Sequence, residues 1–165
     1  MAKVLMIDYE KCTGCRLCEQ VCPVKHEGVT NPARSRITVV KWEEEGLYVP
    51  MTCQQCESAP CQVICPVMAI SRNDHRGLVE IDYDKCIGCR MCIAVCPFGA
   101  MSFDVLGEKV IKCDLCGGDP VCVKFCETQA IQYVDASKLT IAKQRAAAEK
   151  LSRTLQQFPA VIPSV

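Results

Sequence analysis

Sixteen cysteines fall into four groups of four: Cys12-Cys15-Cys18-Cys22, Cys53-Cys56-Cys61-Cys65, Cys86-Cys89-Cys92-Cys96 and Cys113-Cys116-Cys122-Cys126. None is left over. The first and third groups read C-x-x-C-x-x-C-x-x-x-C-P without deviation. Three thiolates from one tight loop can take three corners of an iron–sulfur cubane, and the fourth cysteine, carried away by a helix turn, ligates the other cluster of a pair. The second group has a longer central loop, and the fourth a longer one still, with Glu127 where the others have proline. The spacing predicts four [4Fe–4S] clusters held by all sixteen cysteines. Gly14 and Gly88 lie inside the loops, where a side chain is expected to crowd the cluster. Pro23 and Pro97 follow the fourth cysteines and are expected to fix the exit of the chain.

The alternative from a different class is a zinc-stabilised interaction module. Cys₄ zinc sites usually use two separated C-x-x-C pairs, whereas three cysteines recur here within seven residues. Such a module would be colourless and stable in air; an iron–sulfur protein would be brown and oxygen-sensitive. His26 and His75 read as ordinary loop or surface histidines. No glycine-rich nucleotide motif and no nucleophile–base pair accompanies the cysteines. The expectation is therefore a non-catalytic electron carrier, with no nucleic acid among its partners.

The elements that must position these ligands are short. Residues 8–23 and 82–97 match at eleven of sixteen positions with an offset of 74. The second group maps onto the fourth, Pro60 onto Pro120, and Ala69-Ile70 onto Ala130-Ile131. A duplicated two-cluster unit follows. Each C-x-x-C-x-x-C run is expected as a loop with backbone N–H groups aimed at sulfur, and each C-x-x-x-C segment as the start of a short helix. Strands are expected over 4–7, 78–81, 101–105, 109–111 and 131–134, and as a hairpin of 36–42 with 47–51. Residues 23–35, with Pro23, Gly28 and Pro32, read as a covering loop. From about 137 to 157 the chain lacks Gly, Pro and Cys, and Leu139, Ala142, Ala146, Leu151 and Leu155 suit one helical stripe capped by Asp135 or Ser137. The fold class is α+β: a duplicated two-cluster ferredoxin-like fold with short strands and helices over 1–135, plus a C-terminal helical arm and tail over 136–165 that suits partner docking.

Aromatic residues make up 5% of the chain, few for burying a core unaided. Ligation that exists only in the folded state can supply the missing stability, so the apo-protein is expected to be largely unfolded. The formal charge is zero with cysteines neutral. Four oxidised clusters with their thiolates would add roughly −8. Lys11, Arg16, Lys25, Lys85, Arg90, Lys112 and Lys124 lie beside the motifs and could offset that charge. No apolar run approaches membrane-spanning length, and no secretory leader precedes Cys12. A cytoplasmic location is expected, where many thiols read as metal ligands.

Through the four cysteine groups in order, residues 3–135 resemble the four-cluster electron-transfer subunits of molybdenum and tungsten enzymes, such as the beta subunits of dimethyl-sulfoxide-reductase-type enzymes and formate dehydrogenases. That resemblance implies pairing of the first group with the fourth and the second with the third. It would join Cys12, Cys15 and Cys18 with Cys126, and Cys22 with Cys113, Cys116 and Cys122. It would likewise join Cys53, Cys56 and Cys61 with Cys96, and Cys65 with Cys86, Cys89 and Cys92. Tandem ferredoxins, first group with second and third with fourth, satisfy the same count. The stretch HEGVTNPARSRITVV after Cys22 and the small size look most like the iron–sulfur subunit of tungsten-dependent aldehyde oxidoreductases. The implied partners are a large tungsten (or molybdenum) pterin subunit and a flavin/NAD-binding subunit or ferredoxin. Relays of a formate dehydrogenase, a hydrogenase or a benzoyl-CoA-reductase-type complex are the alternatives. The duplicated body and the arm also admit further copies of the chain in an extended assembly.

Overall fold

The computed structural model describes residues 3–137 together with 144, 145, 147–149 and 152. Eight strands form four two-stranded antiparallel ribbons. β1 (Lys3–Ile7) pairs with β8 (Ile131–Asp135), so the first described strand is closed by the last. β2 (Ile37–Trp42) pairs with β3 (Leu47–Thr52), β4 (Ile70–Asn73) with β5 (Leu78–Ile81), and β6 (Met101–Asp104) with β7 (Lys109–Lys112). Four helices follow the cysteine loops: α1 (Leu17–Glu27), α2 (Pro60–Val63), α3 (Met91–Ala94) and α4 (Val121–Lys124).

The duplication is visible in the backbone. Asp8 N–H donates to Ala130 O at 2.8 Å, and its counterpart Asp82 N–H donates to Ala69 O at 2.7 Å. The β1–β8 ribbon thus repeats as β5–β4, and β2–β3 repeats as β6–β7. Helices α1 and α3 each begin after an arginine in the left-handed region, Arg16 and Arg90. Helix α2 has Pro60 in its first turn and α4 has Pro120 at its N-cap, where the missing N–H is harmless. Each half has its own small core built partly of cysteine: Cys18, Cys22, Ile37, Val39, Cys122 and Ile131 in one, and Ala59, Ile70, Val79, Cys92, Met101 and Val110 in the other.

Two expectations need correction. Residues 23–35 are not one loop: α1 runs through Pro23 to Glu27, stops at Gly28 (φ 73°), and a 3₁₀ turn follows at Pro32–Arg34. Pro23 lies past the first turn and costs one hydrogen bond, but the helix behind it is held by packing, so the chain does not exit there. Strand β4 was not expected, because the polar sequence ISRN carries no strand signal; its pairing with β5 supplies the order. The expected arm over 137–157 and the final FPAVIPSV lie largely outside the described residues. Asp135 does accept the Ser137 backbone N–H at 3.2 Å, as an N-cap would. Among the described residues no helix is long and apolar enough to cross a membrane.

A charge network ties the halves together. Arg34, from the 3₁₀ turn, donates to both carboxylate oxygens of Asp104 on β6 and to Glu27 on α1. Lys109 on β7 reaches the same Glu27 at 3.3 Å.

Candidate metal centres

Four cavities of similar size, each lined by four cysteines, open beside the short helices. Cavity I, 330 Å³, is lined by Cys12, Cys15, Cys18 and Cys126. Cavity II, 310 Å³, is lined by Cys22, Cys113, Cys116 and Cys122. Cavity III, 350 Å³, is lined by Cys53, Cys56, Cys61 and Cys96. Cavity IV, 340 Å³, is lined by Cys65, Cys86, Cys89 and Cys92. Each takes three cysteines from one sequence group and the fourth from another. The crossing is a helical effect. Cys18 and Cys22 sit four residues apart on α1 and face different cavities, and Cys61 and Cys65 are separated in the same way around α2.

The cavities follow one another in a definite order. I and II share α1 and α4; III and IV share α2 and α3. II and III meet where β3 ends at Thr52, which lines II, and continues to Cys53, which lines III. They meet again at the end of β7, where Lys112 precedes Cys113. The order is therefore I–II–III–IV. Cys15 in cavity I and Cys89 in cavity IV are the exposed cysteines.

Burial favours the neutral form of seven of the sixteen thiols. Burial, reinforced by the neighbouring Glu19 carboxylate, pushes the Cys18 thiol up to about 12. Burial likewise raises Cys22, Cys61, Cys92, Cys113, Cys116 and Cys122. Four sulfurs accept backbone N–H groups: Cys22 from Arg36 at 3.3 Å, Cys65 from Ala69 at 3.2 Å, Cys96 from Ala100 at 3.4 Å and Cys113 from Leu115 at 3.4 Å. Such bonds stabilise thiolate over thiol.

The fit to an anionic occupant can be tested on the cations. Lys112 is the one fully buried lysine or arginine among the described residues, at 3% exposure. Its ammonium donates to Cys113 O at 2.9 Å and has no carboxylate partner among the described residues. Arg36 also lines cavity II; its charge is met by Asp114 at 2.9 Å, and only its buried Nε lacks a hydrogen-bond partner among the described residues. Buried charge without compensation costs several kcal/mol. For Lys112, thiolate-bound, net-negative groups in cavities II and III would supply the compensation. The cysteine sulfurs, grouped in fours, suit iron–sulfur clusters, with His26 and Asp114 as additional polar groups lining cavity II.

Sequence reasoning misjudged several neighbours. His26 is not a surface residue: its side chain is 13% exposed, lines cavity II and lies 3.5 Å from both Cys116 Sγ and Asp114. Burial and the nearby Arg36 lower its pKa. Its position on α1, four residues past Cys22, was the available signal. His75 is exposed, as expected. Gly14 is required by Tyr48, whose ring would lie 2.5 Å from an added Cβ; Gly88 meets nothing closer than 3.7 Å. Of the seven basic residues beside the motifs, Lys11, Arg16, Lys85 and Lys124 are paired with nearby carboxylates, and Arg90 lies over the Phe103 ring. Lys112 alone is buried, at the end of a strand whose Val110 and Ile111 are buried as well.

The comparisons with known proteins agree with this chemistry. The family model described as a 4Fe-4S dicluster domain matches residues 44–136, and one described as a 4Fe-4S binding domain matches residues 5–25. The polyferredoxin-like subunit of an aliphatic sulfonate oxidoreductase from Pyrococcus furiosus is 42% identical over 74% of this chain and 70% of its own length. The electron transport protein HydN of Escherichia coli is 35% identical over 96% of this chain and all of its own. In solved structures, a chain of the benzoyl-coenzyme A reductase active-site complex BamBC has a TM-score of 0.50 at 25% identity, covering 94% of this chain and 97% of that one. The sixteen cysteines fit four [4Fe–4S] clusters, and the chain is an iron–sulfur electron-transfer protein. It belongs to the 4Fe-4S dicluster domain family of ferredoxin-like proteins.

Proposed function

We propose that this chain is the electron relay of an oxidoreductase complex, with the four cysteines of each cavity ligating one [4Fe–4S] cluster. The clusters supply one-electron carriers; the chain supplies their order, their insulation and their surroundings. The observation that carries the reading is the placement of exposure. Cys15 and Cys89, the exposed cysteines, belong to the two outer cavities, so electrons can enter and leave at opposite ends while the inner pair is shielded. Leu17 and Phe125 flank cavity I, and Ile87 and Met91 flank cavity IV. All four are solvent-exposed apolar side chains that a protein partner could cover.

For the partner, the best-supported reading is a tungsten–pterin subunit that oxidises an aldehyde, with electrons leaving to a flavin/NAD subunit or to ferredoxin. The stretch after Cys22 supports it, and the likeness to the polyferredoxin-like subunit of an aliphatic sulfonate oxidoreductase supports the coarser reading of a relay within an oxidoreductase. A benzoyl-CoA-reductase-type partner is the second reading, favoured by the likeness to the BamBC chain. Residues 1–135 would form the cluster-bearing body and 136–165 a docking segment, with a cytoplasmic setting and further copies of the chain as an additional contact.

The test is anaerobic purification of the native complex with iron, zinc, tungsten and molybdenum measured together and partners identified by mass. About sixteen irons per copy of this chain, beyond those of the partner, with stoichiometric tungsten and a large pterin-binding subunit, is the expected result. Full iron with molybdenum, or with no second metal, would move the relay to another enzyme. Zinc in place of iron would overturn the relay itself.

A further inference from the structure

The two halves of the molecule repeat each other closely, yet just before the second and fourth cysteine groups they differ by a full charge at a buried position. The cysteine correspondence places Thr52, just before Cys53, opposite Lys112, just before Cys113. Both are buried, at 2% and 3% exposure. Thr52 donates its hydroxyl to Arg36 O at 3.2 Å and also lies against Cys113. Lys112 carries an ammonium with three donors into the same kind of place, and among the described residues only Cys113 O accepts from it.

Its position is fixed by strand register. Lys112 pairs with Met101 across the β6–β7 ribbon, and Met101 lines cavity III. The next residue along the chain, Cys113, lines cavity II. The lysine therefore stands at the junction between the two halves, flanked by the ligand sets of both inner cavities. Burial raises the thiols of Cys61 in cavity III and Cys113 in cavity II, and the positive charge of Lys112 acts on both in the opposite sense.

Other buried charges are compensated where they stand. Glu19, beside cavity I, accepts from the Arg16 side chain and the Val39 N–H. Asp104 is clasped by Arg34. Arg36 is paired with Asp114 at 2.9 Å and lies 3.7 Å from Glu27. The basic residues at the outer cavities, Arg16 and Arg90, are exposed, where water and salt weaken their fields. Lys112 alone is both buried and without a counter-ion among the described residues.

We propose that Lys112 is the potential-setting residue of the relay: its ammonium, fixed between cavities II and III, raises the reduction potentials of the two inner clusters above those of the outer two. An ammonium beside a thiolate-ligated cluster stabilises the extra negative charge of the reduced state, and in a poorly solvated site that attraction is weakly screened. The first two electrons then reside in the middle of the chain, one on each inner cluster. A two-electron oxidation by the catalytic partner can be completed before either electron is passed on singly. The proposal rests on the relay reading above.

The experiment is an EPR-monitored redox titration of the full chain, reconstituted without oxygen, as wild type, Lys112→Met and Lys112→Arg. Lys112→Met at full iron content should lower the potential of two of the four clusters. The expected change is at least tenfold in the reduced-to-oxidised ratio at fixed potential, which is 59 mV for one electron. Lys112→Arg should keep both near wild type. In the otherwise wild-type chain, Cys113→Ser and Cys61→Ser should alter the signal of the first-reduced clusters, and Cys15→Ser and Cys89→Ser should not. Four unchanged potentials in iron-replete Lys112→Met would overturn the proposal, as would a first-reduced signal that follows Cys15 or Cys89. If Lys112→Met fails to hold iron, the serine series decides. Failure of the relay reading would show separately, as wild type carrying fewer than about sixteen irons.

Discussion

Asp104 shows how much a single carboxylate can contribute in a protein with so little core. Its side chain is 1% exposed, and the Arg34 guanidinium that grips both its oxygens holds its carboxyl below the usual carboxylate range. Because the folded-state pKa is depressed, this contribution is present above the unfolded value of 3.8 and is lost as pH falls through the folded one. We expect Arg34→Gln to cost about 1–3 kcal/mol at neutral pH, since it leaves a buried charged group poorly satisfied. The measurement is anaerobic denaturant titration followed by cluster absorbance. The gap between wild type and variant should close as pH drops below about 4. At the cysteines, Cys113→Ala should remove about four irons per chain, the content of the cluster in cavity II, with iron assay as the readout. Loss of only a fraction of one cluster would mean that Cys113 is dispensable there. The sixteen cysteines were legible from spacing alone, because their chemistry needs them in short runs. Lys112 and His26 were not, because what distinguishes them is burial, and burial is set by which strand or helix packs behind them.

Among the elements, the cysteine loops are near-copies whose tolerance should differ. Gly14 and Gly88 both have φ near 70°, yet only Gly14 has a ring pressed against it. Gly14→Ala should therefore destabilise by about 1–3 kcal/mol more than the backbone strain common to both positions. Thermal bleaching of the two alanine variants compares them directly. Adding Tyr48→Ala to Gly14→Ala should recover part of the difference, and no recovery would assign the cost to the backbone alone. The short strands were legible where apolar and β-branched residues cluster, as in β1, β2 and β7. Strand β4 was hidden because Ser71, Arg72 and Asn73 are poor strand formers whose order comes from β5 and from Arg72, which donates to the Gln55 and Cys56 carbonyls at 2.7 and 2.6 Å. The 23–35 segment was misread for the opposite reason: Pro23 is a strong local signal that tertiary packing overrides.

For the whole molecule, the duplication was legible, but the sequence left open which groups pair, since tandem and crossed arrangements use the same motifs. The distinction lies in the β1–β8 ribbon, a contact between chain segments more than a hundred residues apart that no local pattern encodes. At this scale we expect Cys15→Ser and Cys89→Ser each to alter electron exchange at one end only. Stopped-flow reduction by the catalytic partner and oxidation by the acceptor would separate the two; equal effects of both variants on both reactions would argue against exchange at opposite ends. The crossed arrangement also has a temporal meaning. The cysteines of cavity IV span residues 65–92, those of cavity III 53–96, those of cavity II 22–122 and those of cavity I 12–126, each set enclosing the one before like nested parentheses. A ribosome therefore delivers the last cysteine of the innermost set first. The earliest-made cysteines, Cys12 to Cys22, must wait unpartnered until the other end of the body emerges. During synthesis they are the thiols most in need of a chaperone or of a reducing surrounding.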